Sequence, residues 1–179
     1  MVTHLQSAPD TPLDAAQRQQ VILRTRECIQ LAETLFGRRF SRPEICFSLG
    51  GLRAGTYTWR RRGGSHISYN PQVFALDFAD HLQDTVAHEV AHHVVYQLFG
   101  PGIRPHGREW KTVARALGAR PRARGDYPVE GVRVRRQRRF DYRCACQEWQ
   151  LTTTRHKRIQ AGAEYRCNRC GQRLVTGAA

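Results

Sequence analysis

Lysine is almost missing from this chain: Lys111 and Lys157 are the only two among 29 basic residues. Arginine forks suit phosphate, but a G+C-rich genome also favours arginine, so this bias alone decides nothing. Acid is scarce as well, with 15 Asp and Glu against those 29 cations. No apolar run approaches the ~18 residues of a membrane helix, which argues against a membrane span. The start, Met1 to Asp14, has no basic-then-apolar signal pattern, so the chain is expected to stay in the cytosol. Disulfides are rare there, and the six cysteines read better as metal ligands or core thiols. Internal repeats and long low-complexity segments are also missing.

What is present suffices for one core-bearing domain and a small appendage: 179 residues, 40% of them hydrophobic. The charge is unevenly placed. Residues 1–119 hold 14 Lys/Arg and 10 Asp/Glu, a net of +4, whereas residues 120–179 hold 15 and 5, a net of +10. Such asymmetry points to a polyanionic partner, with nucleic acid the leading candidate.

Residues 1–12 read as a flexible tail. From Leu13 to Phe36, apolar residues recur at helical spacing, and Gly37 follows as a C-cap. Ile45 to Leu49, Gly55 to Arg61 and Ser65 to Tyr69 read as strands, the last two a hairpin turned by Gly63-Gly64 and ended by Asn70-Pro71. Phe74 to Phe78 reads as a short helix or turn. Asp80 to Phe99 is the clearest long helix, with Asp80 placed to cap it and Val86, Val90, Val94 and Leu98 in one stripe. Pro105 to Leu117 is a further helix. Residues 119–140 are arginine-rich and read as a basic linker. Residues 141–176 carry four cysteines among short strand-like pieces. The fold class is therefore α+β: residues 13–118 form the main domain and residues 141–176 a small C-terminal one.

On the long helix, His88-Glu89-Val90-Ala91-His92 matches His-Glu-x-x-His. Residues i and i+4 share a helix face, so two imidazoles can reach one Zn²⁺. Glu89, beside the first ligand, can take a proton from an attacking water and pass it to a leaving amine. Chance yields this pattern in roughly 1 to 2 of every 100 chains of this composition, so the apolar setting decides. Ionisable residues in a core-packing stripe need a reason to be there. A catalytic zinc site wants a third protein ligand. Leu98 stands where metzincins place a third histidine, which excludes that class. His106 and Glu109, at the start of the next helix, are the candidates. His93 is turned away from the pair and reads as structural, while His4, His66 and His81 read as surface residues.

Cys144-Ala-Cys146 and Cys167-Asn-Arg-Cys170 form two knuckles about 20 residues apart, the spacing of a zinc ribbon with a structural Zn²⁺. The first knuckle is one residue short of the usual form, which leaves His156 as an alternative to Cys144 or Cys146. Cys28 and Cys46 read as buried thiols. Cations and aromatics around the ribbon suit a single strand, with bases stacking on rings and cations holding phosphates. Arg135, Arg136, Arg138, Arg139, Arg143, Trp149, Arg155, Lys157, Arg158 and Arg166 are the candidate contacts. Trp149 and Tyr165 serve equally well as the ribbon's own core.

The stretch His88-Glu-Val-Ala-His-His-Val-Val-Tyr-Gln-Leu-Phe-Gly, followed by Arg104-Pro-His-Gly-Arg-Glu-Trp110, closely resembles the SprT family and its eukaryotic relatives, the Spartan proteases. The resemblance runs over about residues 15–176, including Tyr69-Asn70-Pro71 and the cysteine cluster. It implies a minimal zincin, helices on a small and mostly antiparallel sheet, with His106 as third ligand ahead of Glu109. It also implies one catalytic and one structural zinc, and a DNA-dependent protease acting on proteins trapped on DNA, in a chain similar to the bacterial form and nucleoid-associated when on DNA. Two other functions fit the residues: a nucleic-acid-binding protein with the zincin half as scaffold, and a DNA-independent zinc peptidase.

Overall fold

The computed structural model describes residues 12–123, 125, 127, 129, 132 and 138–177. The chain divides into two compact units, Met1–Val134 and Arg135–Ala179.

The first unit opens with helix α1 (Ala15–Phe36). Asp14 and Gln17 form a capping box at its start, and Gly37 ends it in the left-handed conformation at φ 62°. Val21, Thr25, Cys28, Ile29 and Ala32 face inward. Three strands follow: β1 (Glu44–Cys46), β2 (Gly55–Arg60) and β3 (Gly64–Tyr69). The expected hairpin is there, with β2 antiparallel to β3 from Gly55↔Tyr69 to Arg60↔Gly64. On its other side β3 pairs with β1 in parallel. The sheet is thus mixed, in the order β1-β3-β2, and β2 is an edge strand. Asn70 holds this end together. Its side chain caps helix α2 (Pro71–Phe74) and donates to the Gly51 carbonyl at 2.8 Å, and its backbone N–H donates to the Ala54 carbonyl. The loop that feeds β2 is thereby anchored.

The long helix expected from residue 80 is interrupted. A short α3 (Phe78–Asp80) leads into a π-helical turn, His81–Thr85, closed by the Val86 N–H on the His81 carbonyl, and only then does α4 (Val86–Phe99) begin. Asp77, not Asp80, caps this segment. Asp80 and Asp84 instead take Arg120, which ties the chain beyond helix α5 (Arg108–Ala116) to the π turn. Val86, Val90 and Val94 are fully buried as their stripe requires. Each such side chain contributes about 1.5–3 kcal/mol by leaving water. Ala119 joins this core, and Tyr127 and Val132 pack against it.

The second unit holds β4 (Arg139–Arg143), β5 (Glu148–Thr152), helix α6 (Thr153–Gln160) and β6 (Val175–Thr176). Its sheet is antiparallel, in the order β5-β4-β6. Four residues form its buried centre: Tyr142, Leu151, Cys167 and Leu174. Among the described residues no helix is long and apolar enough to cross a membrane.

Candidate functional site

Helical spacing puts His88 and His92 one turn apart on α4, and the turn before α5 brings His106 to them. The Nε2 atoms of the three rings lie 3.0–3.3 Å apart. A tetrahedral zinc with Zn–N near 2.05 Å needs ligand nitrogens about 3.3 Å apart, so the three fit that metal closely. The rings are also in the right protonation state. Burial and the neighbouring rings hold His88 down to about 4 and His92 to about 3, and burial lowers His106. At neutral pH all three therefore offer lone pairs. His106 sits at φ 57°, the one described non-glycine residue in the left-handed region. This conformation is sparsely populated, and here it turns the ring back toward α4. Glu109 is not part of the cluster.

Trp110 forms the floor. It is 1% exposed, and its ring lies 4.6 Å from those of His88 and His106 and 5.2 Å from that of His92. One indole thus restrains all three ligands, because α5 buries Trp110, Val113 and Ala114 on its inner face.

Glu89 is buried, and loss of water pushes its carboxyl up to about 8 against the opposing pull of the Tyr57 N–H and the Arg53 charge. The Glu89 side chain packs against the start of edge strand β2. The approach is so close that a Cβ on Gly55 would stand 2.8 Å from Glu89 Cγ and 2.9 Å from its Oε1. Gly55 is thus a site residue that sequence reasoning treated only as the start of a strand. Its signal is purely tertiary. A cleft of about 970 Å³ opens over these groups, lined by Gly55, Thr56 and Tyr57 of β2 together with the three histidines, Glu89 and Tyr127.

The remaining histidines divide. His93 is structural as expected: its Nε2 donates to the Ser41 carbonyl at 2.7 Å and its ring packs on Tyr57. His81 is not a surface residue. It is 1% exposed, stacked on Phe74 and edge-on to Tyr127, with Nδ1 on the Thr85 hydroxyl. His66 is half-buried and paired with Glu44 at 3.0 Å. His4 lies outside the described residues. Cys28 is buried, and Cys46 is half-buried against the Ser68 hydroxyl.

In the second unit, the sulfurs of Cys144, Cys146, Cys167 and Cys170 lie within 4.8 Å of one another. Cys144 to Cys146 is 3.5 Å and Cys146 to Cys167 is 3.6 Å, near the roughly 3.8 Å edge of a tetrahedron with Zn–S of 2.3 Å. The short first knuckle is closed by the Cys144 N–H on the Gln147 carbonyl, and the second by the Gly171 N–H on the Cys167 carbonyl. His156 is not in this cluster. It stacks flat on Phe140 at 3.7 Å and hydrogen-bonds the Tyr142 hydroxyl. Among the described residues, these two clusters are the only ones suited to a metal ion.

Arg143, Arg155, Lys157 and Arg158 are exposed. Arg138 lies over the Phe140 ring, Arg139 reaches the Gln150 carbonyl and Arg166 pairs with Glu164. Trp149 and Tyr165 pack against the ribbon's core, and Tyr142 is buried within it. Arg135 and Arg136 lie outside the described residues.

A three-histidine centre on α4 and the turn leading into α5, with a carboxylate held against a sheet edge, defines an α+β fold of the minimal zincin type, followed by a zinc-ribbon-like unit. The chain belongs to the SprT-like family, whose model matches residues 25–138. It is similar to Protein SprT of Pseudomonas fluorescens, 38% identical over 159 residues, which cover 88% of this chain and 94% of the relative. The Pseudomonas putida protein of the same name is 39% identical over 160 residues, again 88% and 94%. That of Pseudomonas savastanoi is 37% identical over 158 residues, 87% and 93%. No solved structure matches.

Proposed function

We propose that this chain is a zinc metallopeptidase guided by DNA, which cleaves proteins bound or crosslinked to DNA. The carrying observation is the convergence of His88, His92 and His106 to 3.0–3.3 Å beside a buried Glu89. A purely structural site has no use for that carboxylate. When bound, zinc supplies Lewis acidity, which acidifies water and polarises a peptide carbonyl. The positive charge of a bound zinc would favour the ionised form of Glu89, which then accepts the proton of the attacking water and returns it to the leaving amine. The exposed edge of β2 can align an extended peptide by backbone hydrogen bonds, which selects for accessible chain rather than for a side chain. The four cysteines hold a structural zinc. The ribbon cations, with Arg135 to Arg139, would grip a DNA strand, probed best as single-stranded DNA. Substrate choice then follows from co-localisation on DNA, and its site of action is the cytosol, at the nucleoid.

The test is proteolysis of a DNA-binding protein with and without single-stranded DNA, wild type beside Glu89→Gln. Cleavage that requires both DNA and Glu89 is expected. Cleavage that needs Glu89 but ignores DNA would reduce the function to an ordinary zinc peptidase. Zinc-loaded, folded protein that binds DNA and cleaves nothing would leave a binding module.

A further inference from the structure

Helix α5 has two faces of opposite character. The inner one carries Trp110 into the histidine cluster. The outer one presents Arg108, Lys111 and Arg115, all exposed, at positions i, i+3 and i+7. They share one side over about 10 Å of helix. Arg104 joins them from the preceding turn, and the four cations line a depression of about 650 Å³. Among the described residues no carboxylate lines it. Other exposed arginines in this unit do have counter-charges: Arg39 and Arg42 pair with Glu33, and Arg120 with Asp80 and Asp84. Among the described residues none of Arg104, Arg108, Lys111 and Arg115 forms an ion pair. Like charges held together repel one another, and an external anion relieves that repulsion.

The depression also adjoins the cleft. Arg104, Pro105 and His106 line both. We propose that this groove binds a nucleic-acid strand by its phosphates, so that the catalytic unit holds DNA directly, independently of the ribbon, with the strand passing beside His106. The inference rests on the DNA-guided reading above and names the surface that would bring a strand to the cleft. A phosphodiester backbone fits better than an acidic peptide. Apart from Pro105, Gly107 and Ala123 the described lining is polar or charged, and it offers no apolar pocket of the kind that peptide side chains fill, whereas phosphates need only cations and hydrogen-bond donors. A protein attached to a strand in this groove would lie next to Glu89 and the histidines, and a free protein would gain nothing from it.

The experiment uses the full chain and fluorescence anisotropy with a short labelled oligothymidine over a salt series. Three proteins are compared: wild type, the groove variant Arg108→Gln/Lys111→Gln/Arg115→Gln, and a charge-matched control, Arg60→Gln/Arg61→Gln/Arg62→Gln, on the β2–β3 hairpin. Glutamine keeps helix propensity, and thermal melting checks that all three fold. Each phosphate contact on a single strand contributes about 0.7 to the slope of log K against log salt, so the groove variant is expected to lose roughly 2 from that slope. The control is expected to lose clearly less. An unchanged slope in the groove variant, or an equal loss in both variants, overturns the groove. So does loss of oligoglutamate binding with oligothymidine binding intact, which would mark a peptide site. No salt-dependent binding by wild type overturns DNA guidance and the groove together, whereas wild-type binding with an unchanged groove-variant slope removes the groove alone.

Discussion

Among the described residues, the histidines of the first unit stand on elements held by 22 buried core residues, whereas the cysteines of the second stand on two turns with four buried residues at the centre of their unit. In the first unit the core exists without a metal, and the ligands are aimed by what surrounds them: Trp110 under all three rings, the left-handed turn at His106, and Gly55 making room for Glu89. In the second unit the ligands are themselves part of the centre, since Cys167 is one of its four buried residues. A core that small does not offset chain entropy unaided. The fold would thus position a metal in one unit, and a metal would secure the fold in the other.

Removing metal is the strongest way to test that contrast. Structural zinc contributes about 10–16 kcal/mol in ribbon-sized units. Chelation, or Cys167→Ser, is therefore expected to abolish amide protection across residues 139–176 in hydrogen-exchange mass spectrometry, while α1, α4 and the sheet of the first unit keep theirs. Simultaneous loss in both units would erase the distinction.

A smaller perturbation sharpens it from the other side. Gly55→Ala forces a Cβ to within 3 Å of the Glu89 side chain. Overpacking of this kind costs about 1–3 kcal/mol, and a carboxylate displaced by about 1 Å costs roughly 100-fold in rate. The variant is expected to keep its zinc, measured by elemental analysis, and to lose most of its peptidase activity. Loss of zinc in step with activity would show that scaffold and metal are not separable.

The smallest expected effect concerns acid. Burial lowers the pKa of His81, with Asp77, Asp80 and Asp84 opposing and Arg120 assisting. The unfolded chain then binds the proton more readily than the folded one. Stability from this group is full above the unfolded pKa of about 6.5 and is lost as pH falls below it toward the folded value. His81→Phe keeps the ring contacts with Phe74 and Tyr127, and is expected to show a shallower fall of Tm between neutral pH and pH of about 5. An unchanged slope would move the acid sensitivity elsewhere in the first unit.

The ligands were legible because their chemistry has a fixed spacing: His88 and His92 at i and i+4, and the cysteines in two knuckles. Spacing could not separate His106 from Glu109, since both lie within a helical turn of each other; the family resemblance favoured His106, and it is His106 that the structure gathers with His88 and His92. Gly55 carried no local sign, because its partner Glu89 is 34 positions away. The burial of His81 was hidden by its polarity. The π turn was hidden too: one extra residue in a helix leaves the apolar pattern almost intact while shifting everything after it by about 100°. His156 looked like a spare ligand and is instead a ring in the ribbon's packing, a difference that only the stack on Phe140 reveals.

The placement of Trp110 gives the chain an optical handle. Trp59 is 46% exposed and Trp149 is half-buried in the other unit, whereas Trp110 is 1% exposed and touches all three histidine rings. Its burial is expected to place its emission at the blue end of the spectrum, apart from that of Trp59. A paramagnetic ion such as Co²⁺ or Cu²⁺ among those rings would darken it first. Occupancy of the histidine centre can therefore be followed by light, separately from the cysteine centre and without any added dye.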